Sequence, residues 1–260
     1  MGTVRVESFG ISDRGLRRHH NEDAFLVRDD LGLYVVADGM GGHAAGEVAA
    51  GLAVAEIERI IESTRNAAET TWPEGWDPRL PCDSNRLAFA SLQAHRRVTG
   101  AVDADPGLRG MGATVVAALL SAQRDRLTVG HVGDSRAYLF RDGQLQLLTR
   151  DHSWVHEQVV AGLLSEDAAR SHPLKNVVTR ALGGAQEPTA EVREHEIRPG
   201  DLLLLCSDGL NAMLEDREVA EVLRQRRTNL RVLGQELVSE ANRRGGVDNI
   251  TIVLVRFIAE

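Results

Sequence analysis

The chain has 260 residues, 43% of them hydrophobic and 26% charged, which suits one large globular domain or two small ones with a full core. Its net charge of −8 and aromatic content of 4% exclude the usual nucleic-acid binders, which need a basic face or stacking platforms. No segment approaches the ~20 apolar residues of a membrane span, and no basic segment followed by an apolar run opens the chain, so a cytoplasmic protein with neither membrane nor nucleic acid as partner is expected.

Residues 4–11 read as an opening strand, with Val4, Val6 and Phe9. A polar stretch follows, basic at Arg17 and Arg18 and acidic at Glu22 and Asp23. The strand 24–28 turns through Asp29-Asp30-Leu31-Gly32 into a buried strand over 33–37, forming a hairpin. That strand stops on Asp38 and turns through Gly39, Gly41 and Gly42, which puts a charge at the rim of a core with backbone close beside it. Helical spacing of Val48, Leu52, Ala55, Ile57, Ile60 and Ile61 predicts a helix over 46–62. Residues 63–83, with Trp72-Pro73 and Trp76, break the pattern as a loop or short insertion. Ser84 is placed to cap a second helix over 85–99, and 103–112 reads as a loop.

Strand signals return at 113–120, 127–132, 137–140 and 144–149, with Gly133-Asp134-Ser135 after the second of them. Residues 150–186 differ: a helix started by Asp151-His152-Ser153 runs to 161, and Gly162, Pro173 and Gly183-Gly184 punctuate the remainder as a small helical excursion. A strand over 192–197 and a fully apolar one over 202–206 lead to Ser207-Asp208-Gly209. Amphipathic helices over 216–227 and 229–244 precede Asp248, which opens the last strand, 250–257. Nine or ten strands joined mostly by hairpins, with four main helices in two sequential pairs, predict an α+β fold: two antiparallel sheets with helices outside, one domain over 1–260, and a monomer. Of the two cysteines, Cys206 reads as core. Neither Cys82 nor Cys206 has the arginine six residues on that a cysteine-nucleophile phosphatase requires, since Ala88 and Ala212 stand there.

Asp38, Asp134, Asp208 and Asp248 thus sit at strand ends beside glycine or a small polar residue, and with Glu22 they make an all-oxygen set. No His or Cys cluster suited to zinc is visible, and hard carboxylates suit Mg²⁺ or Mn²⁺. Two such ions about 4 Å apart can activate a water and neutralise a phosphoryl group. Phosphate-monoester hydrolysis needs accelerations up to ~10²¹, more than a lone general base supplies. Arg18, leading into the same rim, can grip two phosphate oxygens.

The chain resembles the bacterial metal-dependent serine/threonine protein phosphatases of the type 2C (PPM) family. The matching blocks are Arg18-His-His-Asn-Glu22-Asp23, Ala37-Asp38-Gly39-Met-Gly-Gly-His43, Gly110-Met-Gly-Ala-Thr114, Gly133-Asp134-Ser-Arg136, Leu148-Thr-Arg-Asp151-His-Ser153, Asn176-Val-Val-Thr-Arg180-Ala-Leu-Gly183, Ser207-Asp208-Gly209 and Asp248-Asn249-Ile-Thr251. They follow the family's order and span nearly the whole chain. The resemblance implies a β-sandwich flanked by helix pairs and hydrolysis of phosphoserine and phosphothreonine on proteins by metal-activated water. It implies that Asp38 bridges two Mn²⁺ or Mg²⁺ ions, that Gly39 offers its carbonyl, and that Asp208 and Asp248 hold the first ion. Glu22 reaches the second through water, and Asp134 with Asp208 makes a weaker third site. Arg18 binds substrate phosphate, 150–186 is a mobile flap, and the partners are phosphorylated proteins, with a cognate Ser/Thr kinase and its targets expected.

Some readings stay open beside these. Arg18 could instead form a structural ion pair with Asp23 or Glu22. Asp23 is expected to support the ligands, and Arg136 to be a structural partner of the carboxylate rim. Arg17, His19 and His20 are expected in solvent, Asp142 and Asp216 as turn formers, and Trp72 and Trp76 as packing of the insertion. Some relatives carry a histidine, proposed as general acid, where Met40 stands; His43 is a minor candidate for that task, and Ala113 a packing variant of the Gly-Met-Gly-Thr-Thr block. A non-catalytic binding member of the family and a different two-metal phosphoesterase are the alternative functions.

Overall fold

Strands that are apolar at every position need cover on both faces, and four packed layers, two sheets between two layers of helices, provide it. The computed structural model describes residues 4–42, 44–65, 76–224 and 229–260. One five-stranded antiparallel sheet has the order β1 (Val4–Asp13), β10 (Ile250–Ala259), β9 (Leu202–Cys206), β6 (Arg136–Arg141), β7 (Gln144–Leu147). The other has the order β2 (Asp23–Arg28), β3 (Leu33–Met40), β4 (Gly112–Leu120), β5 (Arg126–Val132), β8 (Glu191–Glu196). The ten described strands are those read from the sequence, nine with ends moved by at most two residues; β3 does not stop on Asp38 but runs three residues beyond 37, because Asp38, Gly39 and Met40 still pair with Thr114, Ala113 and Gly112 of β4.

Alternation along each strand separates the layers. Tyr34 and Val36 of β3 meet Leu203, Leu205, Val253 and Val255 between the sheets. Leu33, Val35 and Ala37 face outward onto α1 (Ala44–Ser63) and α2 (Cys82–Ala104). On the opposite face, Leu204, Cys206, Ile252 and Leu254 pack under α6 (Asp216–Leu223) and α7 (Leu230–Arg243). Cys206 is fully buried, as expected, and Cys82 is exposed.

Several local expectations are corrected. Ser84 caps nothing: it is buried inside α2, which starts three residues earlier than predicted. Asn85 organises that start instead, donating from Nδ2 to the Asp77 carbonyl at 2.8 Å and accepting the Asp77 N–H at 2.9 Å. Pro81, with no N–H to satisfy, precedes the first turn. The loop 103–112 contains a 3₁₀ turn, Pro106–Leu108, anchored by Asp105, which accepts the Gly107 N–H. In the 150–186 stretch, Ser153 caps α3 (Trp154–Val160), and α4 (Glu166–Ser171) follows. Asp208, two residues past the end of β9, begins a single helical turn, α5 (Asp208–Asn211). His43, residues 66–75 of the 63–83 insertion with Trp72, and 225–227 of the predicted helix lie outside the described residues. No described helix is long and apolar enough to cross a membrane.

Candidate metal centre

The loop 14–22 carries the chain from β1 of one sheet to β2 of the other, and the turn 133–135 carries it from β5 back to β6. Both crossings lie at the end of the sandwich where β3 and β9 finish and β10 begins, so every carboxylate singled out above arrives at one place. Asp23 pairs directly with Asp38 across β2 and β3. Asp208 lies near enough for its charge to act on Asp38. The hydroxyl of Ser207, next to Asp208, donates to Asp23 Oδ2 at 2.8 Å. Gly209 lies so close to β10 that a Cβ on it would fall 2.0 Å from the Asn249 carbonyl and 3.3 Å from Asp248 Cβ.

Glycine is required on the Asp38 side as well. A Cβ on Gly39 would stand 2.1 Å from the Gly46 carbonyl and 2.5 Å from the Glu22 carbonyl, and one on Gly46 would meet Glu22 Oε2 at 2.0 Å. The Glu22 carboxylate therefore lies against the start of α1. Gly133 has φ +106°, and a Cβ there would run into Thr114 Cβ. Thr114 Oγ1 and Ser135 Oγ are 2.6 Å apart, which fixes both sides of the turn carrying Asp134.

This crowding has an electrostatic cost. Burial, and then the charges of Asp23, Asp208, Asp134 and Asp248, raise the Asp38 carboxyl well above its ordinary range. Asp208 is pushed up to about 6 by burial and by Asp248. Asp134 rises to about 7 through burial, Asp208 and Asp151, and Asp23 to about 7, chiefly through burial. Oδ1 of Asp208 and Oδ1 of Asp23 are buried and meet no hydrogen-bond donor among the described residues. Buried, mutually repelling carboxylates with orphaned oxygens are a donor set for hard divalent cations, and the residues fit Mg²⁺ or Mn²⁺.

Arg18 has a partner that the sequence reading did not name: its Nη2 donates to Asp248 Oδ2 at 2.6 Å, with the two side chains 53% and 24% exposed. That bond, with the charges of Asp248, Glu22 and Asp208, raises the guanidinium pKa. Arg17, His19 and His20 are exposed as expected. Arg136 makes its bidentate pair with Asp151, Nε to Oδ1 at 2.9 Å and Nη2 to Oδ2 at 2.6 Å. Asp216 is more than a turn former, since it accepts the Tyr138 hydroxyl. Met40, at the end of β3, lies across from Gly112, and Ala113 sits in an apolar pocket with Val98 and Met111. A cavity of about 570 Å³ opens beside the centre, lined by Asp134, Asp208 and Met213 and, from the 150–186 side, by His156, Arg170 and Lys175.

Two things were not foreseen. Asn249 was quoted only as part of a block, yet it stitches the site together: Oδ1 accepts the Glu22 N–H at 2.8 Å, and Nδ2 donates to the Arg14 and His20 carbonyls, both at 2.9 Å. The signal was available, since a buried asparagine beside a ligand-type aspartate must have its amide served. The other is a histidine cluster that the sequence did not show. His131, His152 and Glu191, from three distant segments, place one potential ligand atom each within 4.8 Å of one another.

The family profile for protein phosphatase 2C matches residues 16–241. The serine/threonine phosphatase stp of Listeria monocytogenes is 36% identical over 247 residues, covering 94% of this chain and 93% of that one. Among solved structures, the Mycobacterium tuberculosis serine/threonine phosphatase PstP/Ppp superposes with a TM-score of 0.85 at 34% identity, covering 99% of this chain and 100% of that chain. The catalytic domain of PstP in complex with two manganese ions gives 0.82 at 34% identity, covering 98% and 100%. This chain belongs to the protein phosphatase 2C family.

Proposed function

We propose that this chain is a protein serine/threonine phosphatase working with two Mn²⁺ or Mg²⁺ ions. The observation that carries the reading is the convergence of Asp38, Asp208, Asp248 and Asp134 on one rim, with a buried Asp208 oxygen left without a donor. In this reading Asp38 and the Gly39 carbonyl would serve both ions, Asp208 and Asp248 would hold the first, Glu22 would support the second, and Asp134 with Asp208 would offer a weaker third position. When bound, the ions supply Lewis acidity, lowering the pKa of a water and neutralising phosphoryl charge.

The chain's own residues do the remainder. Arg18, half in solvent, presents a guanidinium to phosphate oxygens at the mouth of the site. The Asn249 stitches hold the loop carrying it. Met40 has no ionisable proton and cannot serve as the leaving-group acid. The 150–186 segment walls the cavity and acts as a flap over it, within a single 1–260 domain. A cognate Ser/Thr kinase and its phosphorylated targets are the partners this reading favours. Two unpaired thiols accord with work in a reducing cytoplasm.

The test is Mn²⁺-dependent phosphate release from a phosphothreonine peptide, with cyclic nucleotides in parallel. Wild type should hydrolyse the peptide and spare the nucleotides. Asp208→Asn should remove the activity while the protein stays folded. Full activity in that variant, or preference for the nucleotide, would overturn the reading.

A further inference from the structure

We propose that His152 is a positioning residue that latches the 150–186 segment to the Asp134 corner of the metal centre. The inference rests on the phosphatase reading above and deepens it.

His152 grips the Asp134 turn twice. Its backbone N–H donates to the Gly133 carbonyl at 3.0 Å, and its ring Nδ1 accepts the Gly133 N–H at 3.2 Å. Its own carbonyl accepts the Thr179 N–H at 2.8 Å, and Ser153 bridges to Val178 next door. One residue therefore ties the outgoing and returning legs of the segment to the glycine directly before Asp134. The ring is 5% exposed and stacked on His131, centroids 4.6 Å apart. His131 is held in turn, its Nε2 lying 2.7 Å from the Arg150 carbonyl. A ring clamped this way transmits a shift of the segment to the backbone that aims Asp134, and the reverse.

The same geometry argues against a cation on His131, His152 and Glu191. A backbone N–H can only donate, so His152 Nδ1 must carry the lone pair and Nε2 the proton. Nε2 then faces Glu191 Oε2, 3.8 Å away, and has no lone pair for a metal. Arg180 Nη1, 3.4 Å from Nε2, competes for the same nitrogen, but a neutral ring offers one acceptor and the fixed backbone donor is closer. A guanidinium at that distance also repels a cation.

Three variants separate the possibilities. His152→Asn keeps an acceptor where Nδ1 lies, His152→Gln moves it toward Nε2, and His152→Phe keeps the stack but removes the acceptor. The measurements are the Mn²⁺ dependence of phosphopeptide hydrolysis, kcat and KM separately, and the thermal midpoint. His152→Phe should raise the Mn²⁺ concentration for half-maximal activity by about 10-fold or more, the scale of losing a group that orients a ligand, with kcat falling more than KM rises. His152→Asn should come close to wild type, and His152→Gln should not. Should the Phe variant fail to fold, the Asn and Gln pair decides. Wild-type metal dependence in a folded His152→Phe, or equal impairment in Asn and Gln, would overturn the latch. Glu191→Gln, which keeps an oxygen facing Nε2 without the charge, should keep its metal dependence; collapse there would instead mark a cation on the three side chains. Absence of Mn²⁺-dependent activity in wild type would count against the phosphatase reading, not the latch.

Discussion

Arg18 has two claims on one guanidinium. Its bond to Asp248 is short, but both side chains are partly in solvent, and pairs of that kind contribute about 0–1 kcal/mol to stability. A charge-assisted grip on substrate phosphate is worth more, about 1.5–3 kcal/mol, or roughly 10- to 100-fold in kcat/KM. Arg18→Ala should therefore lower kcat/KM for a phosphopeptide by roughly that factor and leave the thermal midpoint within a few degrees. Arg18→Lys should recover only part of the loss, since an ammonium cannot bind two oxygens in a fork. Steady-state kinetics and a melt on the same preparations decide it. A large fall in melting temperature with unchanged kinetics would make Arg18 a structural ion pair, with Asp248 as its partner and not the Asp23 or Glu22 of the alternative reading. Met40 shows the same economy of inference: the sequence marks the missing imidazole, and the fold shows a thioether packed over Gly112.

At the scale of elements, the centre is assembled by close approach of backbones. α5 can bring Asp208 beside Asp248 only because Gly209 lets it touch the first residues leading into β10. The loop 14–22 is held to the same place by the Leu16 and Arg17 N–H groups on the Gly246 carbonyl, at 2.8 and 3.1 Å, and by the Asn249 side chain. Gly209→Ala should force α5 off β10, costing about 1–3 kcal/mol as overpacking does, and should weaken Mn²⁺ activation together with kcat. Asn249→Ala should cost a similar amount, since Asn249 is itself buried and its loss strands the Glu22 N–H and two carbonyls. Chemical denaturation and Mn²⁺ titration check both; wild-type stability in either variant would refute the account of how the loop and α5 are held. These contacts also show what a sequence can carry. The apolar runs of β3, β9 and β10 and the strand-end aspartates were legible, because they depend on local pattern. Ser84 misled, because capping depends on where the helix begins, and Asn85's bonds to Asp77 set that. The meeting of His131, His152 and Glu191 was invisible, because three segments far apart in sequence join only through the β5–β8 pairing and the base of the 150–186 segment.

For the whole molecule, the centre makes stability depend on pH in a direction opposite to that of most acidic groups. An ordinary native carboxylate is stabilised as the anion. Here Asp23 and Asp134 are raised to about 7 and Asp208 to about 6, against roughly 3.9 in an unfolded chain. The folded state thus binds more protons than the unfolded state between those values. Its stability from these groups is fully present below about pH 4 and is lost as pH rises through 6 to 7. Chelator-treated protein should accordingly melt at a lower temperature at pH 8 than at pH 5.5. Divalent cations reverse the term, because they bind the ionised carboxylates and compete with protons for them. At about 100 times the dissociation constant they add about 2.7 kcal/mol, which for a chain of this size is about 5–10 °C. The Mn²⁺-induced rise in melting temperature should therefore approach that size at pH 8 and shrink toward pH 5.5, where protons already neutralise the rim. Asp38→Asn, which removes one charge from the crowded set, should raise the melting temperature of the chelator-treated protein at pH 8 and reduce the gain from Mn²⁺. A Mn²⁺ shift equal at both pH values, or larger at the lower, would mean that the repelling carboxylates are not what the cations relieve.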